Sequence, residues 1–501
     1  VQPLLAVAGT RRWFHTHESG NPTRHWSSQF SALNNPDTIA MRIPLLLTAL
    51  LTATLAVRAQ QIGAGAYWSM ATCGNAVLHS WGSNIYGQLG DSTSTGHYTA
   101  APVHGLLEVV DMQGGFGHTV ALAADSTVWC WGRNDAGGLG DGTTNSSIIP
   151  VQVPGLDGVI AIAAGDMFSA ALKADGTLWT WGENNYGQLG TGIPGNSSVP
   201  AQANLTGVTA MAAGNGHLLV LLANGTVWGW GLNDNHQLGA GLGAPIVADT
   251  ALQAVGLDQV VAISAGRYSF NAALRADGTI WTWGYNQWGQ LGNGGNITGD
   301  TPAQVPGLTN IVSIARQGGQ GHMCAVRDDG TVWSWGYNLA GQLGNGANSD
   351  SNVPVQVGDI SDVVAVTCGM SHALALKADG TTWAWGSSDW GQLGYGGLVA
   401  SYVPVAVSGI CAGTTEIREP EAPGALSVFP NPASGIIRLR AEQRPGSTGA
   451  IHDALGAKVM DLTAAQLSGS EAIDVSGLQA GTYLLRAIDP SGSAAGRGVG
   501  Q

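Results

Sequence analysis

Short apolar runs, in which small or polar residues alternate with larger ones, recur along residues 60–411. The clearest examples are 159–165 (VIAIAAG), 168–174 (FSAALKA), 177–182 (TLWTWG) and 150–153 (PVQV). Alternation of this kind is typical of strands, and Asp175-Gly176 suits the two-residue turn of a hairpin. The proline of the last run suits a strand at a sheet edge. The pattern predicts sheets of four antiparallel strands, which we letter a to d in chain order.

The four-strand unit occurs seven times. Its strand c ends in a Trp-Gly pair, and successive pairs lie 49 to 53 residues apart, a period that is typical of propellers and solenoids. The tryptophans of these pairs are Trp81, Trp131, Trp181, Trp230, Trp283, Trp335 and Trp385. Because large rings and small residues alternate along strand c, we expect these indoles to pack between neighbouring sheets as structural residues. The sequence predicts an all-β, seven-bladed propeller.

A second column of ring-bearing residues stands at the start of strand b. Its members are Trp68, His118, Phe168, His217, Phe270, His322 and His372. Four histidines in register could form a metal site or a proton relay. However, Trp and Phe occupy the same position, and neither can bind a metal or titrate. We therefore predict structural roles for the histidines, and neither a metal nor a cofactor.

Composition excludes several classes of protein. Glycine accounts for 76 of 501 residues and charged residues for only 10%, which disfavours long helices and favours turn-rich β-structure. The formal net charge is -14, whereas a nucleic-acid-binding protein needs clustered cations to neutralise phosphates. GxSxG and HExxH do not occur, and the GxGxxG-like 190–195 (GTGIPG) lies in a polar loop rather than before a helix. We predict neither nucleic-acid binding nor catalysis.

The N-terminal region has the pattern of an export signal. Residues 41–59 (MRIPLLLTALLTATLAVRA) combine a cationic start, an apolar stretch and a small-x-small end, which is typical of a secretory signal peptide. A membrane anchor is the less favoured alternative, because the apolar stretch is shorter than the roughly 20 residues that span a bilayer. We expect residues 1–40 to be an upstream extension outside the fold, and no stable membrane span.

The two ends of the repeat region are complementary. Gln60 begins in the middle of a strand a, whereas 403–413 ends with a strand d and the first residues of another strand a. The ends are therefore expected to meet and close the ring. Closure would bring Cys73 near Cys411, and we weigh a disulfide between them against two free, buried thiols. The five cysteines are widely spaced and include no CxxC pair, so a metal cluster is not expected.

The repeat as a whole reads AxGxxHxxALxxDGxVxxWGxNxxGQLGxG. Over residues 62–411 this pattern resembles the repeat of the regulator of chromosome condensation (RCC) family of seven-bladed propellers. The resemblance implies the fold. That family includes exchange factors for a small GTPase, ubiquitin-ligase modules and a secreted inhibitor of β-lactamase, so the resemblance does not imply one function.

A second domain is predicted after a polar linker at 412–424. Residues 425–501 contain short alternating runs with glycine turns, which predict a small β-sandwich. The segments 430–433 (PNPA), 474–478 (DVSGL) and 480–485 (AGTYLL) resemble the type A sorting domain of type IX secretion substrates. The resemblance implies recognition by the type IX secretion machinery, export through the periplasm, and a final location at the outer cell surface or outside the cell.

One face of the propeller is expected to bind a partner. The a–b and c–d loops emerge on the same face, and they carry rigid aromatic residues of the kind that protein and glycan interfaces use. The expected face residues are Tyr67, Tyr86, Phe116, Arg133, Tyr186, Arg267, Tyr268, Tyr285, Trp288, Tyr337 and Trp390.

The predicted function is therefore that of a monomeric, non-enzymatic module that binds an unknown extracellular protein or glycan. Two alternatives remain open. One is a guanine-nucleotide exchange factor-like regulator of a small GTPase, by family analogy. The other is an enzyme that acts at the central funnel of the propeller, which would require acids or histidines that converge there.

Overall fold

The computed structural model describes most of the repeat region and the strands of the C-terminal region. The described residues are 60–73, 77–106, 108–410, 427–429, 436–440, 448–452, 458–463, 473–474, 482–488 and 494–500. The elements of regular secondary structure within these residues are all β-strands, as the alternating pattern predicts. None of the described residues forms a helix that is long and apolar enough to cross a bilayer.

Seven antiparallel sheets, the blades, follow one another along the chain, and each pairs its four strands in the order a-b-c-d. Blade 1 comprises β1 Ile62–Ala64, β2 Trp68–Thr72, β3 Leu78–Gly82 and β4 His97–Pro102. Blade 2 comprises β5 Val109–Gly114, β6 His118–Ala123, β7 Val128–Gly132 and β8 Ser147–Gln152. Blade 3 comprises β9 Val159–Ala164, β10 Phe168–Lys173, β11 Leu178–Gly182 and β12 Ser197–Gln202. Blade 4 comprises β13 Val208–Ala213, β14 His217–Leu222, β15 Val227–Leu232 and β16 Val247–Gln253.

The last three blades keep this order, with one exception in blade 6. Blade 5 comprises β17 Val260–Gly266, β18 Phe270–Arg275, β19 Ile280–Gly284 and β20 Gly299–Gln304. Blade 6 comprises β21 Ile311–Ile314, β23 His322–Arg327, β24 Val332–Gly336 and β25 Ser351–Gln356. Blade 7 comprises β26 Val363–Cys368, β27 His372–Lys377, β28 Thr382–Gly386 and β29 Ser401–Ala406. In blade 6 the first strand is interrupted, and the short β22 Gln317–Gly318 pairs in parallel with β17 of blade 5.

The strand limits differ slightly from those that the sequence predicts. Strands a, b and c of blade 3 agree to within a residue at each end, whereas strand d of blade 2 begins at Ser147, three residues before Pro150. The proline is tolerated inside β8 because β8 is the edge strand of its sheet. In every blade the register of strands c and d shifts beside the Trp-Gly pair, and such a shift increases the local twist.

The Trp-Gly tryptophans pack between the blades. Each is at most 1% exposed, and its Nε1 donates to a backbone carbonyl of the preceding blade at 2.8 to 3.0 Å. The donor–acceptor pairs are Trp81–Gln392, Trp131–Gln88, Trp181–Gly138, Trp230–Gln188, Trp283–Gln237, Trp335–Gln290 and Trp385–Gln342. An added Cβ at Gly90 would lie 2.6 Å from the indole nitrogen of Trp131, so a glycine is needed wherever the indole approaches this closely.

Blade 7 packs against blade 1, and this contact closes the ring. Trp81 donates to Gln392, the Met370 N–H donates to the Ala66 carbonyl at 3.1 Å, and the Ala100 N–H donates to Ser408 at 3.1 Å. Apolar residues of both blades share one buried cluster. Strand β1 is three residues long and, among the described residues, pairs only with β2 of its own blade. The expected extra residues of a strand a at 411–413 lie outside the described residues.

The described residues of the C-terminal region form two sheets. The three-stranded sheet comprises β30 Ser427–Phe429, β31 Ile436–Arg440 and β34 Ile473–Asp474. The four-stranded sheet comprises β32 Thr448–His452, β33 Lys458–Leu462, β35 Thr482–Ile488 and β36 Ala494–Gly500. Pairing is antiparallel throughout both sheets. The packing of the two sheets as a sandwich stays a prediction, and residues 1–59 and the linker 412–424 lie outside the described residues.

Candidate binding face and central channel

A buried asparagine organises each c–d loop of blades 1 to 6. In blade 5, Asn286 is fully buried, its Oδ1 accepts the Leu291 N–H at 2.9 Å, and its Nδ2 donates to the carbonyls of Gly295 and Ile297 at 3.0 Å. The equivalent residues are Asn84, Asn134, Asn184, Asn233 and Asn338, with Ser388 in blade 7. Because one amide binds backbone groups from both ends of the loop, the loop has a defined conformation without regular structure.

A glutamine in the same loops positions the aromatic residue two places before it. The Gln290 Oε1 accepts the Trp288 N–H at 3.0 Å, and the Gln392 Oε1 accepts the Trp390 N–H at 2.9 Å. The Tyr86 and Tyr186 N–H groups are bound in the same way. The backbone carbonyls of these glutamines also accept the inter-blade indoles. The face aromatics are thus held by residues of the blade core.

Four of the predicted face residues form one cluster on blades 5 and 6, which we call the four-ring cluster: Tyr268, Tyr285, Trp288 and Tyr337. The ring centroids of Trp288 lie 5.2 Å from Tyr268, 5.4 Å from Tyr285 and 5.2 Å from Tyr337. The a–b loop residue Tyr268 contacts the c–d loop residues Tyr285 and Trp288, so the two kinds of loop share a face as predicted. The rings are tilted or edge-to-face, which is a favourable arrangement for aromatic side chains.

Three further rings meet at the blade 7, 1 and 2 side of the same face. The Tyr67 ring lies 6.1 Å from Phe116 and 6.4 Å from Trp390. Nearby, the Arg133 guanidinium lies over the Tyr86 ring at 5.1 Å and pairs with Asp135. This placement joins residues from blades 1, 2 and 7 that are far apart in the sequence.

The eleven predicted face residues differ in exposure. Tyr186, Tyr268 and Trp390 are 39 to 44% exposed. The half-buried residues are Tyr67, Tyr86, Phe116, Arg133, Tyr285, Trp288 and Tyr337. Arg267 is only 3% exposed and does not belong to the accessible face, because it points into the centre of the ring, where it meets acceptors from other blades.

Polar side chains cross the central channel. From blade 5, the Arg267 Nη1 donates to Asp166 of blade 3 at 2.8 Å, and its Nη2 donates to the Gly114 carbonyl of blade 2 at 2.5 Å. From blade 6, Arg316 forms a two-point ion pair with Asp111 of blade 2, and the Gln317 Nε2 donates to the Ala164 carbonyl of blade 3 at 3.0 Å. Since these blades are not neighbours in the ring, the bonds must span the channel. Burial raises the pKa of Asp166, and the facing Arg267 opposes that rise.

Comparison with known proteins agrees with this architecture. A model of the RCC1-like domain matches residues 99–425, which is most of the chain. The chain belongs to the RCC1-like domain family. A model of the secretion system C-terminal sorting domain matches residues 427–497, so this RCC1-like chain is sorted for export to the cell surface or beyond.

Individual relatives match only segments of this RCC1-like chain. A stretch of 114 residues, 22% of the chain, is 35% identical to the human E3 ubiquitin-protein ligase HERC2, of which it covers 2%. A stretch of 94 residues, 18% of the chain, is 38% identical to the Arabidopsis thaliana ultraviolet-B receptor UVR8, of which it covers 21%. The matched segments therefore span less than a quarter of these relatives.

Two solved structures resemble the RCC1-like propeller over most of their length. Prp20p of Saccharomyces cerevisiae superposes with a TM-score of 0.59 at 24% identity, over 66% of this chain and 86% of that protein. Human WBSCR16 superposes with a TM-score of 0.57 at 25% identity, over 64% of this chain and 87% of that protein. These likenesses support the fold.

The ring column of the RCC1-like propeller follows a pairing rule that the sequence analysis missed. Every member is at most 1% exposed, and four of the seven bond to the residue of the next blade that immediately follows that blade's own column residue. The four bonded pairs are Trp68–Thr119 at 3.2 Å, His118–Ser169 at 3.0 Å, His217–Asn271 at 2.9 Å and His372–Ser69 at 2.9 Å. Phe168 and Phe270 share apolar clusters with Leu218 and Met323. Burial lowers the pKa of His118 and His217 to about 4 and that of His372 to about 3.

The cysteines of the RCC1-like propeller fall into two groups. Cys130, Cys324 and Cys368 are buried and free, whereas Cys73 is disulfide-bonded. Cys411, its predicted partner, lies outside the described residues, so the Cys73–Cys411 pairing stays a prediction.

The channel residues Asp111, Arg316 and Gln317 were not among the predicted site residues. Two signals in the sequence point to them. Asp111 stands where strand a of blades 3, 4 and 5 has alanine, and the stretch 311–319 of blade 6 is two residues longer than 159–165 of blade 3. The additional residues interrupt strand a and carry Arg316 and Gln317 toward the channel.

Proposed function

We propose that the chain is an exported, non-enzymatic binding module that recognises an extracellular protein or glycan through its aromatic loop face. The observation that carries the proposal is the four-ring cluster, which joins loops of two blades into one aromatic surface. The sorting domain directs the chain to the cell surface or beyond, and a partner would be met there.

The construction of the face supports a binding role. Tyrosine and tryptophan provide large contact areas with few rotatable bonds, and they are enriched among residues that dominate binding energy. Here the backbone of Trp288 is bound by Gln290, and the loop is bound by buried Asn286. Little ordering entropy would then be lost on association, which favours affinity.

A catalytic role in the channel is less well supported. Asp111, Asp166, Arg267 and Arg316 converge there, but each carboxylate is paired with a guanidinium from another blade. Paired in this way, the four groups brace the ring, and a reacting group would have to displace its ion-pair partner.

An exchange-factor role is the alternative by family analogy. The structure of Prp20p was described together with its binding properties to Gsp1p and histones. A small GTPase is an intracellular partner, whereas the sorting domain exports this chain. Cell fractionation distinguishes the two roles, since an exchange factor would be retained in the cytoplasm.

The face assignment is tested by replacing Trp288 and Trp390 with alanine in the full chain. The probes are a panel of immobilised surface polysaccharides and extracellular proteins. Each residue is expected to contribute about 2 kcal/mol, so the double variant should bind the recognised probe roughly several hundredfold more weakly. Trp383→Ala is the matched control, because Trp383 lies on β28 beside the turn between strands b and c, where its Nε1 donates to the Thr381 hydroxyl at 3.1 Å. Equal binding by the double variant and the wild type would reject the face assignment.

A further inference from the structure

The interface between blades 6 and 7 departs from the pairing rule of the ring column. His322 of blade 6 is fully buried, yet the residue that should pair with it in blade 7 is Ala373, which has no polar side-chain atom. Neither Nδ1 nor Nε2 of His322 has a hydrogen-bond partner among the described residues. A buried imidazole without a partner is costly. The other three histidines of the column each bond through Nε2 to the next blade.

Two cysteines stand beside this histidine. Cys324 lies two residues after His322 on β23, and Cys368 ends β26 of blade 7. At the position of Cys324 the other blades have only apolar residues: Met70, Val120, Ala170, Leu219, Ala272 and Leu374. At the position of Cys368 they have only small ones: Ala64, Gly114, Ala164, Ala213, Ala265 and Gly318. All three departures therefore fall in one of the seven interfaces.

The three side chains form a compact donor set. One ligand atom from each of His322, Cys324 and Cys368 lies within 4.8 Å of the other two, and all three residues are fully buried. A cation about 2.3 Å from sulfur and about 2.0 Å from nitrogen holds its ligand atoms roughly 3.5 to 4 Å apart. Small side-chain adjustments would suffice to place one ion between them.

The chemistry of the donors selects the class of ion. Thiolate sulfur and imidazole nitrogen are soft or borderline ligands, which favour Cu⁺ and Zn²⁺ over Mg²⁺ or Ca²⁺. Within the part of the chain that the structure describes, no Asp or Glu joins the group.

We propose that His322, Cys324 and Cys368 bind one thiophilic d¹⁰ cation, Cu⁺ or Zn²⁺, between blades 6 and 7. The thiol protons of the two cysteines leave on binding, and the ion links adjacent blades at a point where the ring column provides no hydrogen bond. Its role is structural, because all three donors are buried.

The test measures metal content in the full chain. The protein is expressed with added zinc or, separately, with added copper under reducing conditions, then desalted and analysed by elemental mass spectrometry. About one equivalent of one of the two metals per chain is expected. His322→Phe, Cys324→Ala and Cys368→Ala should each bind at least tenfold less metal. These replacements occur naturally at the same positions in other blades, as Phe168, Ala170 and Ala164, so the fold should tolerate them.

Cys130→Ser is the matched control for loss of a buried thiol. Ser80 and Ser334 occupy the equivalent position in blades 1 and 6, and metal content should remain at about one equivalent. Metal absent from the wild type in both arms, or equal in the wild type and the Cys368→Ala variant, would overturn the proposal. So would a Cys324–Cys368 disulfide, detected by peptide mapping without reduction in protein purified with either metal.

Discussion

At the scale of single residues, the ring column shows how a repeat tolerates different side chains at one position. A buried imidazole needs a hydrogen-bond partner, whereas a buried phenyl ring needs an apolar neighbour. His217 therefore bonds to Asn271, and Phe270 shares an apolar cluster with Met323. The polarity of each of these rings thus agrees with the polarity of a residue about 50 positions later in the sequence. The sequence of the column shows that a ring is needed at each position, but it does not show which residue the ring contacts.

The first prediction exchanges one pair for another. His217→Phe leaves the Asn271 Oδ1 without its donor, and Asn271→Met leaves the His217 Nε2 without its acceptor. Each single change is expected to lower the free energy of unfolding by about 1–3 kcal/mol. The double variant reproduces the Phe270–Met323 pair and should recover about 1 kcal/mol or more. Urea denaturation of the four proteins gives the coupling energy, and simple additivity would contradict the pairing rule.

The second prediction concerns pH. Burial lowers the pKa of His118, His217 and His372 well below 6.5, so each stays neutral in the folded state while the unfolded chain takes up a proton as the pH falls. The free energy of unfolding is therefore highest above about pH 6.5 and decreases as the pH falls toward 4. Each histidine should contribute a loss of about 2 kcal/mol between pH 7 and pH 5. Urea denaturation across this range measures the slope.

The double variant His217→Phe/Asn271→Met provides the control for the pH experiment. It removes His217, one of the three histidines named in the pH prediction, and restores an apolar pair. Its stability should depend less steeply on pH than that of the wild type. An unchanged slope would show that His217 does not contribute to the pH dependence.

At the scale of elements, the c–d loops are ordered by buried amides. Asn286 binds one backbone N–H and two carbonyls of its loop, and Gln290 binds the N–H of Trp288. These bonds explain how loops rich in glycine and small polar residues hold an aromatic face. Blade 7 differs, because Ser388 replaces the asparagine and makes one bond, to the Gly397 carbonyl.

The third prediction tests this organisation. Asn286→Ala leaves the Leu291 N–H and the Gly295 and Ile297 carbonyls without their partner, so it should lower the free energy of unfolding by about 2–3 kcal/mol. Asn286→Ser copies the blade 7 residue and should cost less. Amide hydrogen exchange should show faster exchange in residues 286–297 for the alanine variant. Equal protection in the alanine variant and the wild type would mean that the loop does not depend on this amide.

At the scale of the whole molecule, closure of the ring depends on contacts between residues that are distant in the sequence. Seven equivalent indole bonds join the blades, and the one from Trp81 to Gln392 links the first blade to the last. Ion pairs add bonds across the channel between blades that are not adjacent. The ring is therefore braced both around its circumference and across its centre.

The fourth prediction compares the two channel arginines. The Arg267 side chain is 2% exposed, whereas that of Arg316 is 45% exposed. Arg267→Met leaves Asp166 beside a buried apolar group and should cost about 3 kcal/mol. Arg316→Met breaks a more accessible pair and should cost about 1 kcal/mol or less. Urea denaturation of both variants decides the order, and an equal or reversed order would contradict the assigned burial.

Fold class and blade number were predictable because the indole of each Trp-Gly pair recurs at one spacing. A period of about 50 residues with four alternating runs leaves few architectures other than a propeller. The inter-blade role of the indoles was also inferred, since large and small residues alternate along strand c. The channel contacts were not predicted. The sequence places Arg267 in an a–b loop of blade 5, and it does not show the acceptors that other blades supply.

The repeat pattern alone determined the strands, the seven blades and the face on which the aromatic loops emerge, because local alternation and turn chemistry specify each blade independently. Only the tertiary structure decided which side chains meet. Closing the ring brought Arg316 to Asp111, buried Arg267 and placed His322 against two cysteines. Those contacts depend on the curvature of the closed ring, and residues from different repeats acquire their neighbours only when every blade is in place.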